Sequence, residues 1–251
     1  MKVATQPTAL FVADSHFHLR PAAAEARRVE RFVAFLEAAA GVPHLALLGD
    51  IFDFWFDYPH FRLRGYEEIL QALDRVRDAG SRIHFVGGNH DIWAAGYLHE
   101  RYGSEPAGDP ITLELDGRRI HLTHGDGLLV RDWAYASFRW LVRRRTGIVL
   151  AKAVHPELLF ALSTWLSGTS RAADRDEAAQ MEAKARRWLR RRRHPPWDLL
   201  VMGHLHHPVL LEHDGRQMAI LGSWLDRLGY GVLREGLFSL ADFPAQGPAT
   251  L

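Results

Sequence analysis

The chain has 251 residues, 47% of them apolar and 24% charged, which is enough length for one sizeable core and the composition of a globular protein rather than a disordered one. It contains no cysteine. Disulfides, thiolate metal sites and a cysteine nucleophile are thereby excluded, and any metal must be held by His, Asp, Glu or Asn, donors that suit Mn, Mg, Fe or Zn.

The net charge of +1 hides an asymmetry. Residues 131–198 carry 15 Lys+Arg against 7 Asp+Glu, a surplus of +8, and the remainder stands at −7. The N-terminus has one lysine and a short apolar run that leads into polar residues, so no secretory leader is expected, and no apolar stretch approaches the ~18 residues that would span a bilayer. The expected address is cytoplasmic.

In chain order, Thr8 to Ala13 reads as a buried strand that ends at Asp14-Ser15-His16. A helix is expected from Ala22 to Ala40, closing at Gly41, and then a strand over His44 to Leu48 that ends in Gly49-Asp50. A second helix is expected from Tyr66 to Ala79, and a third strand over Arg82 to Val86 that ends in Gly88-Asn89-His90-Asp91. Alternating strands and helices of this kind predict a parallel α/β layer, with ligands gathering beyond the carboxyl ends of the strands. Ile111–Leu115 and Arg119–Thr123 flank the hairpin turn Asp116-Gly117, and the second strand ends in His124-Gly125-Asp126. Residues 131–193 read as helical throughout. Asp198 to Met202 is a further strand, ending in Gly203-His204-Leu205-His206, and two hairpins follow, the first turning at Asp214-Gly215.

Five strand ends therefore deliver polar clusters: Asp14-x-His16, Gly49-Asp50-x-x-Asp53, Gly88-Asn89-His90-Asp91, His124-Gly125-Asp126 and Gly203-His204-x-His206. A single cluster of this kind is commonplace, and five in order are not. Together, over residues 8 to about 225, they resemble the calcineurin-like metallophosphoesterase superfamily. That resemblance implies an α/β fold of the αββα sandwich type, two mixed β-sheets flanked by helices, here a single domain over 1–251 with a helical lid inserted at about 131–195.

It also implies two divalent cations. Cations about 3.5–4 Å apart need a shared anionic ligand, for which Asp50 is the natural choice. Family correspondence places Asp14, His16 and His206 with Asp50 at one metal, and Asn89, His124 and His204 with Asp50 at the other. His16 and the His204/His206 pair are expected to work because residues two apart on an extended chain point to the same side. The implied reaction is attack by metal-bound hydroxide on phosphorus, with His90 stabilising the transition state or protonating the leaving oxygen and Asp53 orienting His90. His18 reads as a packing or supporting residue, His207 as a neighbour of the last motif, and Asp126 as a brace behind His124 or a simple turn.

The insert mixes apolar and aromatic residues, among them Trp133, Phe138, Trp140, Leu158, Phe160 and Trp165, with arginine runs at 143–145 and 190–193. It reads either as a helical cap packed on the body or as a lid over an amphiphilic phosphate, able to touch an anionic bilayer surface. Leu48-Gly49-Asp50-Ile51-Phe52-Asp53-Phe54-Trp55, His124-Gly125-Asp126-Gly127, His155-Pro156 and Leu221-Gly222-Ser223-Trp224 look like the UDP-2,3-diacylglucosamine pyrophosphohydrolase branch. That likeness implies cleavage of UDP-2,3-diacylglucosamine to UMP and 2,3-diacylglucosamine 1-phosphate in lipid A assembly, manganese as the preferred metal (with Fe, Zn or Mg also suiting the donors), and peripheral contact with the cytoplasmic face of the inner membrane.

One position departs. The best-known members of that branch carry arginine where this chain has His90, as the wider superfamily does. Other phosphodiesters, nucleotides or nucleic acid stay open as substrates, and contiguous aliphatic runs in the insert weigh against nucleic acid. A metal barrel opened by Asp14-x-His16-x-His18 would need more strands than the chain supplies. A non-catalytic binding module would be expected to have lost ligands or His90, and all are present.

Overall fold

Strands buried on both faces read as unbroken apolar runs, and the first strands of this chain do so because each sits between two cores. The structure is a computed structural model that describes residues 5–19, 22–55, 64–91, 93–104, 110–129, 178–192, 195–225, 227–247 and 251. Its strands are β1 (Ala9–Val12), β2 (His44–Leu47), β3 (Arg82–Phe85), β4 (Ile111–Leu115), β5 (Arg118–Thr123), β6 (Leu199–Met202), β7 (Val209–His213), β8 (Arg216–Ile220), β9 (Gly229–Arg234) and β10 (Leu237–Asp242). The described helices are α1 (Ala23–Ala39), α2 (Glu67–Asp78), α3 (Ala94–Tyr102) and α4 (Ala178–Arg191).

Two five-stranded sheets result, in the orders β10-β9-β1-β2-β3 and β4-β5-β6-β8-β7. In the first, β1, β2 and β3 run parallel, and the β9–β10 hairpin joins antiparallel at β1. In the second, β5, β6 and β8 run parallel between the antiparallel edge strands β4 and β7. Both sheets are mixed. The expected parallel layer is real for β1–β3 and is extended on its open side by the last hairpin of the chain.

Side-chain alternation sets the layers. Leu10, Val12, Leu45, Leu47, Ile83 and Phe85 face a core shared with α1, α2 and α3. Ala9, Phe11, Ala46, Ile120, Leu122, Leu199 and Val201 face a second core between the two sheets. Leu200, Met202, Met218 and Ile220 point the other way, onto Ala185 and Leu189 of α4. The order is helix, sheet, sheet, helix. The reading of 131–193 as helical is met at α4; residues 130–177, which carry most of the expected lid, lie outside the described residues.

α3 was not expected from the sequence. It is short, and its buried residues Ala94, Ala95, Leu98 and Tyr102 make only a thin apolar stripe. Gly103 ends it in the left-handed conformation (φ 67°), its N–H donating to the His99 carbonyl at 2.9 Å.

An aromatic cluster locks α1 onto the first sheet: Phe35 lies 5.0 Å from Trp224, 5.2 Å from Tyr230 and 5.5 Å from Phe243, ring centre to ring centre. Phe35 is fully buried. Phe35→Ala should cost about 3–5 kcal/mol in urea denaturation, the range for truncating a core aromatic.

Candidate metal centre

The loops that leave β1, β2, β3, β5 and β6 meet at one edge where the two sheets end. Asp14 and His16 follow β1, Asp50 and Asp53 follow β2, Asn89 and His90 follow β3, His124 follows β5, and His204 and His206 follow β6. Asp14, Asp50 and His124 are almost wholly buried.

Three groups of potential metal donors result: Asp14 with His16 and His206, His16 with Asp50 and His90, and Asp50 with His124 and His204. Asp50 is shared by the last two groups, its Oδ2 lying 3.4 Å from His124 Nε2, 3.8 Å from His16 Nε2 and 3.9 Å from His90 Nε2. His16 Nε2 and His206 Nε2 lie 3.4 Å apart, His206 Nε2 is 3.8 Å from Asp14 Oδ1, and Asn89 Oδ1 is 3.2 Å from His124 Nε2. All seven expected ligands are thus drawn into one constellation. Distance does not separate His90 from them: its Nε2 is as near Asp50 as that of His16.

These residues do not sit on extended chain. Asp14 (φ 51°), His16 (φ 45°), Asp50 (φ 51°), His204 (φ 72°) and His206 (φ 52°) all occupy the left-handed region, which non-glycine residues seldom adopt. Leu205 N donates to Gly203 O at 3.0 Å and His207 N to Leu205 O at 2.7 Å, so two successive three-residue turns centre on His204 and His206. The two imidazoles consequently go to different groups. The expectation that residues two apart share a side on extended chain therefore fails here, and local turns do the aiming instead.

Asp91 holds this backbone in place. Its carboxylate accepts N–H bonds from Asp50 (3.0 Å), Ile51 (2.8 Å), Phe52 (3.2 Å) and Gly88 (2.9 Å), tying the loop after β2 to the loop after β3. Gly88 must be glycine, because a Cβ there would collide with the Asp50 carboxylate and lie 2.5 Å from its amide nitrogen. Sequence reasoning gave Asp91 no role, although its place in the Gly88–Asp91 cluster was the available signal. Ser223 Oγ and Trp224 N, which donate to the Asp14 carbonyl at 3.2 and 3.1 Å, also went unassigned.

Ring tautomers follow from what lies behind each imidazole. His124 Nδ1 donates to Leu48 O at 2.8 Å, which turns Nε2 toward Asp50. His90 Nδ1 donates to the Asp53 main-chain carbonyl at 3.0 Å, while the Asp53 carboxylate is 3.5 Å away, so the carbonyl makes the closer orienting contact.

Burial pushes the Asp14 carboxyl well above the usual carboxylate range, with the nearby Asp50 charge adding to it. Burial would raise Asp50 as well, but His124, His90 and His16 outweigh it and hold that carboxyl well below the usual range. His124 is the converse: burial opposes its charge, yet Asp50 and Asp14 raise it well above 6.5. Burial lowers His204 to about 4 and His206 to about 3, which leaves both neutral with lone pairs available.

A pair of divalent cations fits this set. Asp14 Oδ1 is a buried carboxylate oxygen with no hydrogen-bond partner among the described residues, next to neutral imidazoles and a second buried carboxylate. Such a group is costly without a compensating charge. Imidazole, carboxylate and amide oxygen are donors for Mn, Fe or Zn.

A family model for the calcineurin-like phosphoesterases matches residues 7–208, and the chain belongs to that family. It is a metal-dependent hydrolase of the metallophosphoesterase type. Among curated relatives, the UDP-2,3-diacylglucosamine hydrolase of Porphyromonas gingivalis is 30% identical over 244 residues, covering 88% of this chain and 92% of the relative. That of Bordetella pertussis is 34% identical over 220 residues, covering 84% and 83%. A solved structure of an archaeal phosphodiesterase aligns with TM-score 0.45 at 14% identity, covering 93% of this chain and 98% of the other.

Asp91→Asn turns one acceptor into a donor facing backbone N–H groups. It should cost about 2 kcal/mol or more in urea denaturation and weaken Mn²⁺ binding, although no donor of the constellation is removed. A proton on His124 competes with a cation for the same Nε2. Because the pKa of this imidazole is raised, divalent affinity measured by calorimetry should increase as pH rises toward that pKa and level off above it.

Proposed function

We propose that the protein hydrolyses the pyrophosphate of UDP-2,3-diacylglucosamine to UMP and 2,3-diacylglucosamine 1-phosphate, using two divalent cations, with manganese preferred. The observation that carries the reaction class is Asp50 Oδ2, a single buried carboxylate oxygen shared between two groups of donors. The substrate is supported by relatives named UDP-2,3-diacylglucosamine hydrolase that match most of both chains.

In this reading Asp14, His16, His206 and Asp50 would hold one cation, and Asp50, Asn89, His124 and His204 the other. When bound, the cations lower the pKa of a water for in-line attack and neutralise charge on the phosphoryl oxygens. Asp50 would be shared by both, and its Oδ1 is fixed by the His90 N–H at 2.9 Å so that Oδ2 stays toward the centre. His204 N donates to Asp14 Oδ2 at 2.7 Å, which leaves Oδ1 for coordination. The carbonyl of Asp53 accepts a hydrogen bond from His90 Nδ1–H, which turns Nε2 toward the centre, where it would give a proton to the leaving phosphate oxygen. The Asp53 carboxylate lies 3.5 Å from His90 Nδ1 and 3.6 Å from His16 Nδ1, beside the ring that would transfer the proton.

The chain reads as one domain over 1–251 with a lid at about 131–195 that would cover the acyl chains. Among the described residues no helix is long and apolar enough to cross a membrane. Arg186, Arg187, Arg190 and Arg191 of α4 are all exposed, which supports peripheral contact with anionic headgroups at the cytoplasmic face of the inner membrane.

The test is hydrolysis of UDP-2,3-diacylglucosamine with Mn²⁺, following UMP, beside Asp50→Ala and a DNA substrate. UMP release by the parent protein alone is the expected result. Metal-dependent cleavage of an activated phosphodiester without UMP release would keep the reaction and remove the substrate. His90→Ala should lower kcat about 100- to 10,000-fold while Mn²⁺ binding survives, which separates an acid from a ligand where distance does not.

A further inference from the structure

The Asp53 carboxylate is surrounded by imidazoles. Oδ1 is 3.6 Å from His16 Nδ1 and 3.5 Å from His90 Nδ1, and Oδ2 is 3.6 Å from His18 Nε2. His18 in turn is held by Glu25. Its ring Nδ1 lies 2.9 Å from Glu25 Oε2, and its main-chain N–H donates to Oε1 at 2.8 Å. Arg28 donates to Glu25 Oε1 at 2.9 Å, donates to the Ser15 carbonyl, and lies 4.7 Å over the Phe17 ring.

Glu25 is the third residue of α1, a position from which a glutamate commonly reaches back to the helix cap. Here it does not do so: the α1 cap has no side-chain hydrogen bond, and both Glu25 oxygens go to His18 and Arg28. A helix-stabilising role alone does not account for that choice.

We infer that Glu25 and His18 are positioning residues for the metal centre: the chain Glu25–His18–Asp53 fixes the carboxylate that lies against His16 and His90. A ligating histidine needs a partner on its other ring nitrogen to hold its tautomer and angle. Asp53 Oδ1 faces His16 Nδ1 at 3.6 Å, in place to take that role when His16 ligates, and Asp53 Oδ2 faces an imidazole that Glu25 of α1 clamps. This inference rests on the dimetal reading above.

The test compares Glu25→Gln, His18→Asn and His18→Gln with the parent protein. In His18→Asn the amide nitrogen stands near the place of Nδ1 and keeps the contact to Glu25, but it falls short of Asp53. In His18→Gln the amide nitrogen has the reach of Nε2 and restores a donor to Asp53. Each protein is assayed for kcat and KM on an activated phosphodiester at saturating Mn²⁺, for Mn²⁺ affinity by calorimetry, and for Tm.

Glu25→Gln and His18→Asn should lower Mn²⁺ affinity or kcat about 10-fold or more, with KM within about twofold, and His18→Gln should recover most of the loss. Parental kcat and affinity in folded Glu25→Gln and His18→Asn would overturn the inference. So would losses that follow Tm across all three variants with no advantage for glutamine, the mark of a purely structural role. Full activity in Asp50→Ala would bring down the dimetal reading itself. Failure to cleave UDP-2,3-diacylglucosamine leaves this assay intact, because it uses a generic phosphodiester.

Discussion

One buried carboxylate ties together the two loops that carry Asp50, Asn89 and His90, the middle of the site. Asp91 gathers four main-chain N–H groups from the segments after β2 and β3 onto a single side chain. Charge-assisted bonds of this kind are short and strong, and burial makes each one costly to break. They hold Asp50 at a positive φ and press Gly88 against it, so the Asp50 carboxylate has one available place. Burial and the neighbouring Asp50 charge together raise Asp91 to about 6. The anchor therefore shares its electrostatic environment with the site it serves, and positive charge at the centre favours both carboxylates at once.

The layered fold was largely legible in the sequence because its strands answer to a strict rule. Leu10 and Val12 must face one core while Ala9 and Phe11 face another, and only an unbroken apolar run satisfies both. Asp116-Gly117 and Asp214-Gly215 marked their hairpins because the structure places positive φ at all four residues. α3 escaped notice for the opposite reason, with too few buried positions to leave a periodic trace.

The site was legible as an inventory rather than as a geometry. Order along the chain brought Asp14, His16, Asp50, Asn89, His124, His204 and His206 together, yet the extended-chain rationale for their spacing does not survive. His204 and His206 point apart because each sits at the apex of its own turn. Backbone hydrogen bonds and close glycine contacts hold such strained conformations, and these have no residue-level signature beyond glycine itself. Glu25 had no signal at all: an acidic residue in a first helical turn is what any helix would carry.

The distance in sequence between partners at the centre has a consequence for how the molecule comes into being. Asp14 accepts from the main chain of His204 and His16 faces His206, each pair 190 residues apart, and β1 finds its second neighbour only in β9. During synthesis the first βαβ units can associate early, but β1 keeps an unpaired edge until nearly the whole chain has emerged. Truncation anywhere before β9 thus leaves an open strand edge, and truncation before the end of β6 also removes His204 and His206, so premature release yields an aggregation-prone fragment rather than a weak enzyme.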